Sequence, residues 1–194
     1  MTGAPPARPL RADARRNRAR ILVVAEEAFA ADGLGVPVEE LVRRAGFGVG
    51  TFYRHFPTKE ALLGALILER IEQLTLAAEA ALEGDPAEGF AGFVAGLVRA
   101  GSGNKAIAAA LVRSGVDLQA LTGDPGRRLS ELTALLLARA QQAGAVRPDI
   151  GPRELKVLTN GLIQAAETYP DDPGMAQRLV PVVLAGLSPV RDRG

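Results

Sequence analysis

Apolar residues recur at spacings of three and four along nearly the whole of this chain, and no stretch alternates with period two for long enough to make a strand. That confines the fold to helices packed on helices. The pattern is punctuated in a helical way too. Asp85-Pro86, Asp124-Pro125 and Asp172-Pro173 each set an N-cap acid before a proline at the first helical position. Gly33, Gly46 and Gly144 stand where a chain leaving a helix needs positive φ.

Read this way, a first helix runs from about Asp13 to Asp32 and buries Ile21, Leu22, Ala25, Ala28 and Phe29. Pro37 starts a short second helix with Leu41 and Val42, and a third spans Val49 to His55. Thr58 caps a fourth, whose stripe continues past residue 70. Further stripes follow from Phe90 to Leu97, Asn104 to Val112 (after Gly101-Ser102-Gly103), Leu129 to Leu136, Leu155 to Ile163 and Leu179 to Leu187. Pro181 predicts a late start or a kink in the last. The expectation is an all-α chain of about nine helices.

Composition narrows the chemistry. With no Cys, disulfides and thiolate sites are excluded, and the single His55 excludes multi-histidine metal sites. Adjacent acids such as Glu26-Glu27, Glu39-Glu40 and Asp171-Asp172 point apart on a helix and make no catalytic pair. Gly46, Gly48 and Gly50 lie between helices rather than after a strand, so they form no dinucleotide turn. An enzyme, a metal and a cofactor are all unexpected. No apolar run is long enough for a membrane span and no apolar signal core opens the chain, so the expected location is the cytoplasm. Charge is uneven. Residues 1–20 hold six Arg against Asp13, a formal +5, which leaves −4 for the rest of a chain carrying +1. Such a basic arm, Arg16 included, suits an anionic partner.

Residues 45–59 are the most telling. A glycine bend leads into a very short helix in which Phe52 and Phe56, four apart, share the inner face. Val49, Gly50, Thr51, Tyr53, Arg54 and His55 are left around the outside. Hydroxyls and an Arg fork on that edge match phosphates and base edges, and Lys59 follows in the first turn of the next helix. This is the build of a helix-turn-helix whose second helix enters the major groove.

The run Gly46-Phe47-Gly48-Val49-Gly50-Thr51-Phe52-Tyr53-Arg54-His55-Phe56-Pro57-Thr58-Lys59-Glu60-Ala61-Leu62, with Ala25, Phe29 and Gly33 before it, resembles the signature of the TetR (tetracycline-repressor) family of bacterial transcriptional regulators. The detailed resemblance covers roughly residues 14–65. It implies that Val49, Gly50 and Arg54 lie nearest the bases and that Thr51, Tyr53, His55 and Lys59 hold phosphates. Two positions depart from the pattern: Gly48 and Val36-Pro37-Val38 lack the cap hydroxyls found in many relatives. The N-terminal arginines can compensate by reaching an adjacent minor groove.

The expected organisation is a disordered basic arm (1–12), a helix-turn-helix domain (13–59) and a helical ligand-binding and dimerisation domain (60–194). The resemblance implies a homodimer on a palindromic double-stranded operator, with Leu155, Leu158, Leu162, Leu179, Val183 and Leu187 as the dimer face. It also implies repression relieved by a small-molecule effector. Leu66, Arg70, Phe90, Phe93, Leu97, Leu111 and Leu162 are the candidate pocket residues, with Arg70 facing either a ligand carboxylate or a salt-bridge partner. The alternative is a ligand-independent DNA-binding protein controlled by protein contacts.

Overall fold

The computed structural model of the 194-residue chain describes residues 8–169, 171–172 and 174–189. Among these there are eight helices and no strand: α1 (Arg8–Asp32), α2 (Val38–Ala45), α3 (Val49–His55), α4 (Lys59–Glu83), α5 (Pro86–Arg113), α6 (Leu118–Gln142), α7 (Pro152–Thr168) and α8 (Met175–Leu187). The expected total of nine is reached by a different route. Gly101-Ser102-Gly103 does not end a helix, and α5 runs straight through it. The reason is close packing: a β-carbon on Gly101 would come within 2.6 Å of Ile163 Cγ1, so glycine lets α7 approach α5. Conversely α6 is broken at Gly123, whose φ of 17° and ψ of −112° are not helical, so two segments lie end to end. Asp117 caps the first of them, its Oδ1 accepting from Gln119 N (2.9 Å) and Ala120 N (3.1 Å).

Other local signals hold. Asp85 Oδ1 accepts from the amides of Ala87 and Glu88, both at 2.9 Å, and Thr58 Oγ1 accepts from Ala61 N at 3.1 Å. Gly33, Gly46 and Gly144 take φ of 76°, 71° and 72°. At the N-terminus α1 is already helical from Arg8, so residues 8–12 are not the irregular arm expected, while residues 1–7 lie outside the described set. Pro173 lies outside it too, and α8 starts at Met175 and continues through Pro181 without the delay expected there.

Two apolar cores result. The first joins α1, α2 and α3 to the opening turns of α4 and the ends of α5, with Ile21, Leu41, Phe52, Leu62 and Leu111 fully buried. The second gathers Phe90, Val94, Val98, Leu136, Leu137 and Leu155 from α5, α6 and α7, with Val180 and Leu187 from α8. Helix α4 therefore belongs to both: Leu62 to Ile67 lie in the first core and Ala78 in the second. At 1.5 Å per residue its 25 residues span about 37 Å, the length of the molecule's connection between the two.

Candidate nucleic-acid interface

Helix α3 is only seven residues long and carries no side-chain cap, so tertiary contacts hold it in place. Gly46, in the left-handed region, turns the chain after α2 and donates back to Arg43 O at 3.3 Å. Gly48 then enters α3 in extended conformation, accepting from Thr51 N at 2.9 Å. Phe52 (0% exposed) and Phe56 (2%) anchor the inner face in the first core, their ring centres 5.9 Å apart. Helical spacing then forces positions 49, 50, 53 and 54 outward. Val49 is 45% exposed and Tyr53 44%, and Gly50 and Arg54 are exposed as well. The Tyr53 ring stands edge-on to Phe52 at 5.5 Å, so packing fixes its base while its phenol reaches solvent.

Basic groups of α1 pack against aromatic rings of this module. The guanidinium of Arg18 lies 5.5 Å from the centre of the Phe56 ring, and that of Arg20 lies 5.5 Å from the Phe47 ring. Arg16 is exposed and pairs with Asp13 one turn earlier on α1. A second network fixes α2. Glu40 Oε1 accepts from Arg43 Nη2 and Arg44 Nε, both at 2.7 Å, and Arg44 Nη2 reaches back to Asp32 of α1 at 2.7 Å. Hydrogen bonds from Arg43 and then Arg44 hold the Glu40 carboxyl down at about 2, from 4.5. The Glu40, Arg43 and Arg44 spacing of three and four is the sequence signal for this brace. A depressed folded pKa stabilises the fold above pH 4.5 and loses that contribution as pH falls toward 2. Glu40→Gln is expected to flatten the pH dependence of unfolding between these values, measured by urea titration at stepped pH. An unaltered slope contradicts the brace.

Two of the expected phosphate groups are placed otherwise. Lys59 Nζ donates to Leu34 O (2.6 Å) and Val36 O (2.8 Å) and sits 5.7 Å from the Phe29 ring centre. Its ammonium ties the start of α4 to the α1–α2 loop, so its first role is to seat α2, and two of its three N–H groups are engaged. Lys59→Met should cost about 1.5–3 kcal/mol in chemical denaturation, because two carbonyls lose a charged donor. A cost below about 0.5 kcal/mol, the size of an ordinary surface change, contradicts that assignment. His55 has Nε2 buried without a hydrogen-bond partner, so that nitrogen does not face a phosphate.

An outward aromatic and arginine on the second helix of a tight helical bend is the arrangement that DNA readers present to the major groove. Comparison with known proteins agrees. Residues 21–66 match the profile described as "Bacterial regulatory proteins, tetR family", and residues 85–189 match "Transcriptional regulator SbtR-like, C-terminal domain". The chain belongs to the TetR family. A TetR transcription regulatory protein from Mycobacterium vanbaalenii is 39% identical with a TM-score of 0.74, the match covering 93% of this chain and 100% of that one. The TetR regulator SCO0520 from Streptomyces coelicolor is 30% identical with a TM-score of 0.73, covering 90% and 99%. The HTH-type transcriptional regulator UidR of Escherichia coli (strain K12) is 26% identical over 167 residues, 81% of this chain and 85% of that protein. The protein is thus a DNA-binding transcriptional regulator rather than an enzyme. No helix among its described residues is long and apolar enough to cross a membrane.

In this TetR-family regulator the seven candidate pocket residues do not converge. Leu66 and Leu111 lie in the first core, whereas Phe90, Phe93 and Leu162 lie in the second and Leu97 packs against it. Arg70 is taken by Glu26 of α1, with Nη1 donating to Gln73 Oε1 at 3.2 Å, so its salt-bridge alternative is the one realised. The six residues expected to form a dimer face do not share one exposed surface. Leu155, Leu162 and Leu187 are buried in the second core and unavailable, and Val183 is half-buried against it. Leu158 and Leu179 remain exposed, beside Val157 at 66% and Val182 at 65%. Both helices are apolar on two faces, and periodicity alone does not say which face turns inward.

Proposed function

We propose that this regulator works as a homodimeric repressor that a small-molecule effector releases from a palindromic operator. The observation that carries DNA reading is the outward edge of α3, with Tyr53 and Arg54 presented over a sealed Phe52–Phe56 base. On this reading Val49, Gly50 and Arg54 meet base edges in the major groove, while Thr51 and Tyr53 hold flanking phosphates. Arg16 and the residues before it supply backbone or minor-groove charge contacts. Occupancy of a promoter by the dimer is sufficient for repression.

A dimer is supported by unpartnered apolar surface on adjacent helices. Val157, Leu158 and Gly161 of α7, with Leu179, Val182 and Gly186 of α8, form an exposed stripe of large apolar residues and glycines. Paired with its copy, this stripe builds a four-helix interface and brings two α3 helices to one side of the DNA. Half-sites about one helical turn apart follow. Release follows if the effector binds better to a conformer whose α3 helices are misspaced, with α4 as the link because it spans both cores. The test is Leu158→Glu combined with Val182→Glu. Light scattering is expected to show a monomer that retains helix content and loses tight binding to a two-half-site DNA. A persistent dimer rejects this face, and a wild-type monomer that still binds both half-sites tightly rejects the dimeric reading.

A further inference from the structure

Apart from the two cores, the structure holds a cavity of about 560 Å³ between α1, α4 and α5. That is within the range of small-molecule sites. Leu22, Phe29, Leu66 and Ile107, all buried, make its apolar side. Its polar side is formed by Glu26, Glu69, Arg70, Gln73 and Asn104. The charges there do not balance. Glu26 and Arg70 neutralise each other, and Gln73 accepts a further hydrogen bond from the guanidinium. Glu69, half-buried on the same wall, has no hydrogen-bond or ion-pair partner among the described residues, and neither does Asn104. An apolar chamber with one carboxylate in excess favours a cation. It disfavours the carboxylate ligand that an isolated Arg70 would have attracted. An anion entering here would have to displace Glu26 from Arg70 and leave two carboxylates facing each other.

We propose that this cavity is the effector seat, and that its ligand is a small organic monocation with an apolar body: the ammonium pairs with Glu69, an amide contact comes from Asn104, and the hydrocarbon lies against Phe29 and Leu66. The location gives the ligand leverage. Its walls are α1, which carries the DNA-reading module, α4, which connects the two cores, and α5, which runs into the second core. A bound molecule fixes the separation of α1 from α4, and so the tilt of α3 relative to the dimer face. This assignment rests on the effector-released reading given above.

The probes are n-hexylammonium, n-hexanol and n-hexanoate, titrated into the full-length isotope-labelled protein and followed by amide shifts in α1, α4 and α5. Hexylammonium is expected to bind about tenfold or more tighter than hexanol, the lower end of a charge-assisted contact, and hexanoate more weakly than either. Glu69→Gln should abolish the advantage of the amine over the alcohol. Val23→Trp, which fills the mouth of the cavity from an exposed position on α1, should abolish binding of all three. Amine at a concentration that just saturates the wild type should lower its operator affinity at least about fivefold, a coupling of about 1 kcal/mol, and at that concentration should leave Val23→Trp unaffected. Equal or tighter binding of hexanoate, an amine preference that survives Glu69→Gln, or bound amine without an effect on operator affinity each overturns the proposal. The DNA arm without amine separates the two readings. If the ligand-free protein selects no operator, the repressor reading fails, while the titration still reports on the cavity.

Discussion

Replacing Tyr53 and Arg54 together by alanine is expected to remove specific DNA binding and leave the fold intact. Both side chains project from α3 with their polar ends in solvent, and neither has a hydrogen-bond or ion-pair partner among the described residues. Truncating them therefore strips no core contact except the edge of the Tyr53 ring against Phe52. A base-reading arginine is worth about 1–3 kcal/mol of discrimination, and a phosphate contact adds salt-dependent affinity. A dimer carries each loss twice. The expected result is a fall of at least about a hundredfold in operator affinity, with near-random-sequence DNA bound as weakly as before. Fluorescence anisotropy gives the affinity and far-ultraviolet circular dichroism the helix content. Affinity within about threefold of wild type would show that another surface reads the DNA.

Phe52→Ala is expected to do the opposite, abolishing binding by dissolving the module. Phe52 is 0% exposed and touches both Phe56 and Tyr53. Truncating a buried phenylalanine costs about 3–5 kcal/mol, lost burial plus the cavity left behind. For a module built of α1 and two short helices that is a large share of typical domain stability. Its neighbours lie in the first core alone, so the second core, centred on Phe90, Leu136 and Leu155, should remain protected. Hydrogen exchange should then show fast amides in α2 and α3 beside slow amides in α5 and α6. Uniform protection, as in the wild type, would mean that the site collapses around the deletion and that α3 is anchored by something other than Phe52. The adjacent pair thus separates folding from the proposed reading: residue 52 holds the helix in place and residue 53 faces solvent on the edge proposed to meet DNA.

Much of the DNA-facing end was legible because local chemistry and global fold agree there. Glycine at position 46 has its positive φ, Phe52 and Phe56 have helical spacing, and Thr58 caps as its residue type predicts. The rest depended on contacts between distant segments. Nothing local to Lys59 reveals that carbonyls more than twenty residues earlier take its ammonium. Gly101 is a breaker by propensity, and only the approach of Ile163 shows why a long helix tolerates it. Leu155 and Val157 look alike in the sequence, yet the second core covers the first and nothing among the described residues covers the second. Arg70 left a ligand carboxylate and a salt-bridge partner both open in the sequence, and only the approach of α1, which brings Glu26 to it, decides for the salt bridge.

The most direct test of the central claim, that α3 reads DNA in the context of a paired molecule, is selection from a random DNA library. Wild type is expected to enrich an inverted repeat with half-site centres about 10 base pairs apart or a multiple of that. Arg54→Ala is expected to relax the preference at one symmetric position in each half-site and leave the others. Enrichment of no sequence, or of the same fully specified sequence by the Arg54→Ala protein, would contradict it.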